Sequence, residues 1–307
     1  MTAKAELDIG LVVAGHGRHC TVETPEGHRL TCHPRGKKSA VVVGDRVRWQ
    51  STGIGSGEGV IEGVEPRRNL LFRQDDWKTK SFAANLDGLL LWFSVDPVFS
   101  ESQLTRALIA ASSAGIDATI VLNKTDLPGA NAQRERLAPY RAMGCEVMEL
   151  SLKPSPEAAR AQLMPRLAGR STLVLGPSGA GKSTLINALV PDAKAQVGEI
   201  SQALNSGRHT TTHSQWYWVE RGPDGRGTAL IDSPGFQEFG LQQIEATQLP
   251  AYMPDLLAHA GDCRFYNCTH RIEPGCAVIA AVQRGEISAS RWRIYGELMD
   301  EAARKRW

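Results

Sequence analysis

The sequence of 307 residues has no apolar run near the 18 or so residues that a membrane span requires. Its first ten residues, MTAKAELDIG, lack the apolar core of a secretory signal. It also has no fixed-period repeat and no low-complexity tract, which argues against a solenoid or a disordered tail. We therefore expect a soluble, cytoplasmic protein with no membrane partner, long enough for two or three domains.

Excess charge is also scarce. There are 35 Lys and Arg against 33 Asp and Glu, and this net charge of +2 is too small to prove a nucleic-acid partner. The excess lies in residues 1–80, with 13 basic against 10 acidic residues. Ordinary solvated charges are one explanation, and RNA contacts are the other. The candidate contacts are Arg35, Lys37, Lys38, Arg67, Arg68 and Arg73.

Cysteine is sparse, with six in the chain. Three are scattered and typical of small buried hydrophobic residues: Cys20, Cys32 and Cys145. The others cluster with a histidine in CRFYNCTHRIEPGC, as Cys263, Cys268, His270 and Cys276. Three thiolates and an imidazole complete a tetrahedral set, which predicts one structural Zn²⁺ ion rather than a catalytic zinc. A disulfide is the alternative, disfavoured by the histidine and by the expected reducing compartment.

The distribution of strand and helix patterns predicts a multidomain α/β protein in three parts. Residues 1–80 contain short strands between turns and predict an OB-type barrel, whose faces and loops commonly bind oligonucleotides. A β-domain that only packs against its neighbour remains an equal alternative. Residues 81–240 alternate strands with helices, which predicts a mostly parallel sheet. Residues 241–307 predict a helical zinc-binding domain around the cysteine cluster.

The stretch GPSGAGKST fits the phosphate-loop pattern G-x-x-x-x-G-K-[ST], and it follows an apolar strand and opens a helix. Its glycines allow backbone N–H groups to face phosphate oxygens at a helix N-terminus. Lys182 is expected to reach the β- and γ-phosphates, and the Ser183 hydroxyl to bind Mg²⁺. The predicted nucleotide-binding residues are Gly176, Pro177, Ser178, Gly179, Ala180, Gly181, Lys182, Ser183 and Thr184.

The stretch ALIDSPG adds a second part of the predicted site. Asp232 ends an apolar strand and would contact Mg²⁺ through water, and Gly235 would sense the γ-phosphate. Such a D-x-P-G turn is common by itself. Downstream of a phosphate loop it indicates a nucleotide switch.

The stretch NKTD predicts which base is bound, and it comprises Asn123, Lys124, Thr125 and Asp126. A carboxylate at Asp126 can accept from both guanine N1–H and the N2 amine, whereas adenine has no matching donors. The motif therefore predicts GTP rather than ATP. Ser151 is a weaker candidate for a second base contact.

The order of the motifs is unusual, because most G proteins place the phosphate loop before NKxD. A parallel sheet keeps its site if the chain is cut at one exposed loop and rejoined elsewhere, since spatial neighbours are unchanged. The order NKTD, GPSGAGKST, DSPG thus predicts a circularly permuted GTPase domain at 81–240.

The residue that orients the attacking water is not supplied by the usual glutamine after D-x-x-G, since Phe236 occupies that position. The run GRHTTT lies where the first switch loop is expected. Of its threonines, Thr211 is our choice for completing the Mg²⁺ shell. His209 can accept from water through one ring nitrogen and donate through the other. Arg208 is the competitor, because an arginine in cis can neutralise charge on the phosphoryl group.

Taken together, the barrel, the motif order, RHTTT and CRFxxCxHxxEPGCAV resemble the ribosome small subunit-dependent GTPase A family (RsgA, YjeQ-type) over nearly the whole chain. The resemblance implies a GTPase of late small-subunit maturation, stimulated by that subunit, and we expect a monomer. It also implies a barrel and a zinc domain that grip ribosomal RNA, and it points to His209. One rival is a permuted GTPase of large-subunit assembly. The other is a zinc-stabilised RNA-binding module whose guanine nucleotide is structural and not hydrolysed.

Overall fold

The computed structural model describes residues 7–36, 41–53, 57–75, 78–190, 193, 214–222, 226–233, 239, 241 and 243–304. Along these residues a β-barrel is followed by an α/β domain and then by a group of short helices. No helix within these ranges is both long enough and apolar enough to cross a membrane.

The barrel consists of β1 (Asp8–Gly15), β2 (Cys20–Glu23), β3 (Arg29–Pro34), β4 (Arg46–Ser51) and β5 (Glu58–Val64). These strands pair in the order β1-β2-β3-β5-β4, and β4 closes the barrel by pairing with β1. Val12, Val22 and Val47 are completely buried in its core. The predicted OB-type barrel is therefore confirmed.

A hairpin of β6 (Leu70–Asp75) and β7 (Lys78–Ala84) joins the barrel to the α/β domain. Asp45, which is completely buried, anchors the segment before this hairpin. Arg67 donates to both of its carboxylate oxygens, at 2.7 and 2.8 Å, and the Val42 N–H donates at 2.8 Å. Gly44 has φ +90°, and a Cβ there would lie 2.1 Å from the Ala84 carbonyl oxygen, so only glycine fits.

The α/β domain contains β8 (Gly88–Ser94), β9 (Asp117–Asn123), β10 (Glu146–Glu149), β11 (Ser171–Leu175), β12 (Gln215–Arg221) and β13 (Gly227–Asp232). Its helices are α1 (Glu101–Ser113), α2 (Ala130–Ala142), α3 (Pro156–Leu167) and α4 (Lys182–Leu189). The strands lie in the order β10-β9-β8-β11-β13-β12, and only β12 runs antiparallel to its neighbour β13. β8 is buried along its whole length, because its side chains enter two separate cores on opposite faces.

The strand order explains how the permuted motifs meet. β9 and β11 lie on either side of β8, and all three are parallel. Their carboxyl ends therefore lie at one edge of the sheet, which is the edge where open α/β sheets bind ligands. NKTD follows β9 and the phosphate loop follows β11, so the two motifs are neighbours in space whatever their order along the chain.

The C-terminal part contains a 3₁₀ helix (Ala246–Tyr252), α5 (Pro254–Ala260), α6 (Ala277–Gln283) and α7 (Ala289–Arg304). Its contact with α1 includes a buried ion pair. Arg291, only 2% exposed, donates to both oxygens of Asp255 at 2.7 Å and to Thr105 Oγ1 at 2.8 Å. Since Thr105 belongs to α1, this network fixes the C-terminal helices on the α/β domain.

Candidate nucleotide site and metal centre

The phosphate loop takes its shape from glycines between β11 and α4. Gly179 and Gly181 have φ of +81° and +99°, which is left-handed backbone that favours glycine. At Gly176 a Cβ would lie 1.9 Å from the carbonyl oxygen of Trp92, and at Gly181 it would lie 2.8 Å from Asn123 Nδ2. The loop can therefore keep this path against β8 and β9 only because these positions carry no side chain.

Lys182 begins α4 and folds back over the loop. Its Nζ donates to the carbonyl oxygens of Gly176 at 2.7 Å and Pro177 at 3.0 Å. Burial lowers the pKa of Lys182, and the carboxylate of Asp232 acts against this shift. The ammonium group is thus held inside the loop and within electrostatic range of Asp232, where it could pair with a bound phosphate.

NKTD is hydrogen-bonded directly to the phosphate loop. Asn123 Nδ2 donates to the Ala180 carbonyl at 3.0 Å, and Lys124 Nζ donates to the Gly179 carbonyl at 2.8 Å. The other end of the Asn123 amide accepts from the Leu152 N–H at 3.0 Å. Asn123 therefore joins three loops, and Lys124 runs across the phosphate loop.

Ser151 and Asp126 differ in their contacts, because Ser151 is hydrogen-bonded to the NKTD turn and the Asp126 side chain is exposed. Ser151 Oγ accepts from the Asp126 N–H at 3.0 Å and lies 3.0 Å from Thr125 Oγ1. Ser151 thus supports the turn that carries Asp126. Asp126 itself is exposed at the end of this turn, so its carboxylate is accessible to a base.

Trp92 contributes to the site although no sequence motif includes it. Its side chain is completely buried, and its Nε1–H donates to the Ala180 carbonyl at 3.0 Å. Trp92 and Asn123 therefore donate to the same carbonyl oxygen from two strands. The only sequence signal was a tryptophan near the end of the apolar strand GLLLWFS.

The Mg²⁺ side of the site is partly described. Asp232 ends β13 and is 5% exposed, and Ser233 Oγ donates to the Val174 carbonyl at 3.2 Å. Ser183 and Thr184 are exposed in the first turn of α4. A carboxylate and a serine hydroxyl are the oxygen ligands that P-loop proteins use for Mg²⁺, so the donor set fits that ion. The predictions for Arg208, His209, Thr211, Gly235 and Phe236 fall outside the described residues.

The predicted metal ligands converge. Cys263, Cys268, His270 and Cys276 place their ligand atoms within 4.8 Å of one another. Cys263 Sγ lies 3.8 Å from Cys276 Sγ, and His270 Nδ1 lies 3.4 and 3.6 Å from these two sulfurs. Tetrahedral zinc with bonds of about 2.3 Å to sulfur and 2.0 Å to nitrogen requires about 3.8 and 3.5 Å. The cluster therefore has the size and the chemistry of a closed metal site.

Glu273 fixes the loop that carries these ligands. Its carboxylate accepts from the backbone N–H groups of Thr269, Arg271 and Ile272, at 2.8, 3.0 and 3.1 Å. Partial burial alone would raise the pKa of Glu273, but these bonds and that from the Thr269 hydroxyl hold it well below its usual range. His270 has φ +58°, and the loop bonds help to keep it in that conformation. Sequence reasoning assigned no role to Glu273.

The fold and the site define a circularly permuted P-loop GTPase. A family model described as RsgA GTPase matches residues 64–242. The chain belongs to this RsgA GTPase family, as its motifs predicted, and it is a GTP-hydrolysing enzyme.

Relatives and solved structures agree over nearly the whole chain. The small ribosomal subunit biogenesis GTPase RsgA of Variovorax paradoxus (strain S110) is 61% identical over 312 residues, covering 100% of this chain and 96% of that protein. The protein of the same name from Burkholderia pseudomallei (strain K96243) is 53% identical over 299 residues, covering 96% and 92%. The circularly permuted GTPase YloQ is similar with TM-score 0.67 and 25% identity, covering 100% and 99%. YjeQ from Thermotoga maritima has TM-score 0.69 and 29% identity, covering 97% and 99%.

Proposed function

We propose that this GTPase hydrolyses GTP as a step in late maturation of the small ribosomal subunit, and that the subunit stimulates the reaction. The proposal rests above all on the direct hydrogen bonds from NKTD to the phosphate loop, which bring the two motifs together and support one guanine nucleotide site. The printed names of the relatives supply the biological setting, since they are biogenesis GTPases of that subunit. A ribosomal role implies a cytoplasmic location, and we propose a monomer.

Each motif then has a proposed task. Asp126 pairs with guanine, and Lys182 with the loop N–H groups holds the β- and γ-phosphates. The Ser183 hydroxyl and, through water, Asp232 would hold Mg²⁺, which would supply charge neutralisation on the phosphates. Among the residues outside the described ranges, Thr211 completes the Mg²⁺ shell, Gly235 senses the γ-phosphate and His209 orients water, with Arg208 as the competitor.

The metal of the Cys₃His cluster is proposed to be a single structural Zn²⁺. Three sulfurs and one imidazole nitrogen at tetrahedral spacing suit zinc and leave no open position for a substrate. The ion would cross-link the loop before α6 to the N-terminus of that helix, where Cys276 is the N-cap residue. Its task is therefore to stabilise the C-terminal domain.

The three proposed domains are an OB-fold RNA-binding domain at 1–80, the permuted GTPase domain at 81–240 and the zinc-binding domain at 241–307. Ribosomal RNA is the proposed partner of the first and the third. The barrel lies at one end of the continuous sheet and the C-terminal helices pack on α1. Both domains are therefore attached to the body that binds the nucleotide.

The decisive experiment measures GTP turnover by the full chain alone, with small subunits and with large subunits, using Lys182→Ala as the inactive control. We expect small subunits to accelerate turnover by about two orders of magnitude or more, the scale on which partners activate G proteins. If the chain binds GTP but hydrolyses it on neither subunit, the result would favour the alternative of a zinc-stabilised RNA-binding module whose nucleotide is structural. Acceleration by large subunits alone would favour the large-subunit rival. Sedimentation with GDP or a non-hydrolysable GTP analogue would show which state binds the subunit.

A further inference from the structure

A line of paired residues, one on each of four neighbouring strands of the continuous sheet, connects the barrel to the nucleotide site. Ala14 of β1 pairs with Gln215 of β12, and Gln215 pairs with Asp232 of β13. Asp232 in turn pairs with Val174 of β11, the strand that leads into the phosphate loop. Because neighbouring strands lie about 4.8 Å apart, the first barrel strand is only about 10 Å from the strand of the Mg²⁺ aspartate.

The backbone junction between the two domains is short, since Ala14 with Gln215 is the one register pair of β1 and β12 among the described residues. A buried carboxylate reinforces it. Glu23 of β2 is 4% exposed, and its Oε1 accepts from Trp218 Nε1 at 2.8 Å and from Arg221 Nε at 3.2 Å. Its Oε2 accepts from Arg29 Nε at 3.0 Å within the barrel. Glu23 therefore connects the barrel core to two residues of β12.

Arg221 adds a second contact at the far end of β12. Its Nη2 donates to the carbonyl oxygens of Thr24 at 3.2 Å and Pro25 at 2.6 Å, in the turn after β2. A Cβ at Gly27 would lie 3.0 Å from Arg221 Nη1, so the arginine lies closely against this turn. The barrel thus holds β12 at both ends, by Gln215 and by Arg221.

A junction that only had to stay closed would not need a buried charge, because apolar groups of the same volume are often as stabilising as a buried ion pair. Hydrogen bonds to a carboxylate differ from apolar contacts in being directional. A movement of β2 would therefore move Trp218 and Arg221 along with it. Since β12 pairs with β13 up to Asp232, such a movement reaches the Mg²⁺ side of the site.

We propose that Glu23 is a positioning residue that couples the barrel to the nucleotide site through Trp218 and β12, so that RNA engagement of the barrel increases GTP turnover. This inference rests on the proposed function, because it requires a subunit that stimulates the enzyme. Glu23 does not touch the nucleotide loops, and its effect is expected on the stimulated rate alone.

The test compares Glu23→Gln with Glu65→Gln in the full chain. Both remove one negative charge from the same domain, but among the described residues the Glu65 side chain forms a surface pair with Arg48, at 3.0 Å, and no buried one. We expect Glu23→Gln to lower the subunit-stimulated kcat by about tenfold, within the range of measured coupling effects. Unstimulated turnover, GTP affinity and subunit affinity should stay within about threefold of Glu65→Gln.

A second variant separates coupling from general destabilisation. Trp218→Phe removes the indole N–H that donates to Glu23, and it should also lower the stimulated kcat. The double variant should be no worse than Glu23→Gln, because both changes weaken the same contact between Glu23 and β12. An equal subunit-stimulated kcat in Glu23→Gln and Glu65→Gln would overturn the coupling. So would losses of stimulated kcat from Glu23→Gln and Trp218→Phe that simply add in the double variant. Wild-type protein that binds small subunits without acceleration would instead overturn the proposed function itself.

Discussion

Asn123 shows how one side chain can assemble a site at the residue scale. It is 3% exposed, and its amide donates to the Ala180 carbonyl and accepts from the Leu152 N–H. If the amide were removed, the Leu152 N–H would lose this partner at a cost of about 1–3 kcal/mol. The Ala180 carbonyl would still keep its hydrogen bond from Trp92. Asn123 is therefore a structural connection between the phosphate loop and the NKTD turn, and Asp126 is exposed on that turn, where we propose that it selects the base.

The base preference can be tested with Asp126→Asn. An amide donor suits xanthine, whose C2 carbonyl replaces the N2 amine of guanine, so preference should move from GTP to xanthosine triphosphate by about tenfold or more. Competition binding with the two nucleotides measures this. Asp117→Asn is the matched control, because Asp117 lies at the other end of β9 and pairs with Arg170. Unchanged preference in Asp126→Asn would contradict the assignment.

The second prediction at this scale concerns the attacking water. His209→Ala should lower small-subunit-stimulated turnover by about two orders of magnitude, the usual effect of a lost orienting or proton-handling group, while nucleotide affinity is unchanged. Single-turnover hydrolysis on the subunit is the measurement. If His209→Ala hydrolyses normally and Arg208→Ala does not, the role belongs to the arginine.

At the scale of elements, two loops carry the predicted ligand-binding groups. The phosphate loop is held by strands that are distant in sequence, and the loop that carries the four predicted metal ligands, here called the metal loop, is held by the carboxylate of Glu273. The phosphate loop is pressed against β8 and β9, and its carbonyl groups are occupied by Trp92, Asn123 and Lys124. The metal loop depends on its four ligands and on Glu273. Small changes in either turn should therefore have local and separable effects.

Gly181→Ala should abolish the shape of the phosphate loop. The new Cβ would lie 2.8 Å from Asn123 Nδ2 on backbone with φ +99°, so strain and a clash act together. We expect GTP affinity to fall about a hundredfold, which corresponds to about 2.7 kcal/mol. Gly144→Ala is the control, since φ there is +84° and a Cβ would meet nothing within 4 Å. Gly144→Ala should cost about 1 kcal/mol of stability and leave GTP affinity unchanged. An equal loss of GTP affinity in Gly144→Ala and Gly181→Ala would contradict the clash with Asn123.

Removing the metal should unfold the C-terminal domain selectively. Chelation, or Cys268→Ala, should melt the C-terminal helices while nucleotide binding remains nearly intact, because the ligands are separate from the GTP motifs. Metal analysis, circular dichroism and GTP binding on the same samples measure this. Cys145→Ala, which changes a cysteine outside the cluster, should retain one zinc per chain. Freshly purified wild-type protein without zinc would contradict the assignment.

At the scale of the whole molecule, the basic residues near the barrel divide into two groups. Arg67 is bound by the buried Asp45, and Arg68 pairs with Asp87 at 2.8 Å and donates to the Asn85 carbonyl. Arg67 thus holds the segment before the hairpin on the barrel, and Arg68 holds the same segment on residues at the start of the α/β domain. Arg35 is 67% exposed and forms one surface pair with Glu62, so it is the better candidate for RNA among the described residues.

Joint replacement of Arg35 with its sequence neighbours Lys37 and Lys38, which lie outside the described residues, by alanine should weaken small-subunit binding. Each lost phosphate contact should also reduce the dependence of log affinity on log salt by about one. Binding measured at several salt concentrations tests this.

The control removes three arginines from the α/β surface, each of which pairs with a glutamate: Arg134, Arg141 and Arg166. It changes net charge by the same amount and should leave the salt dependence nearly unaltered. Equal effects of the two triple variants would mean that only net charge matters and that the barrel is not a specific RNA contact.

The sequence by itself determined the family, the fold class and GTP hydrolysis. It could do so because the phosphate loop and the NKTD turn are contiguous segments whose backbone needs specific residues, such as glycine at Gly181. The permuted order was also readable, since a parallel sheet depends on neighbours and not on chain order. The domain boundaries and the roles of the individual site residues stay predictions.

The tertiary structure decided which distant side chains support these motifs. Trp92 donates to a carbonyl 88 residues further along the chain, and Glu23 accepts from a tryptophan 195 residues away. No local pattern can encode such pairs, because each partner is an ordinary strand residue until the sheet brings the two together. Local motifs thus fixed the chemistry of the site. The long-range pairing of strands decided how the loops are held and how the barrel contacts them.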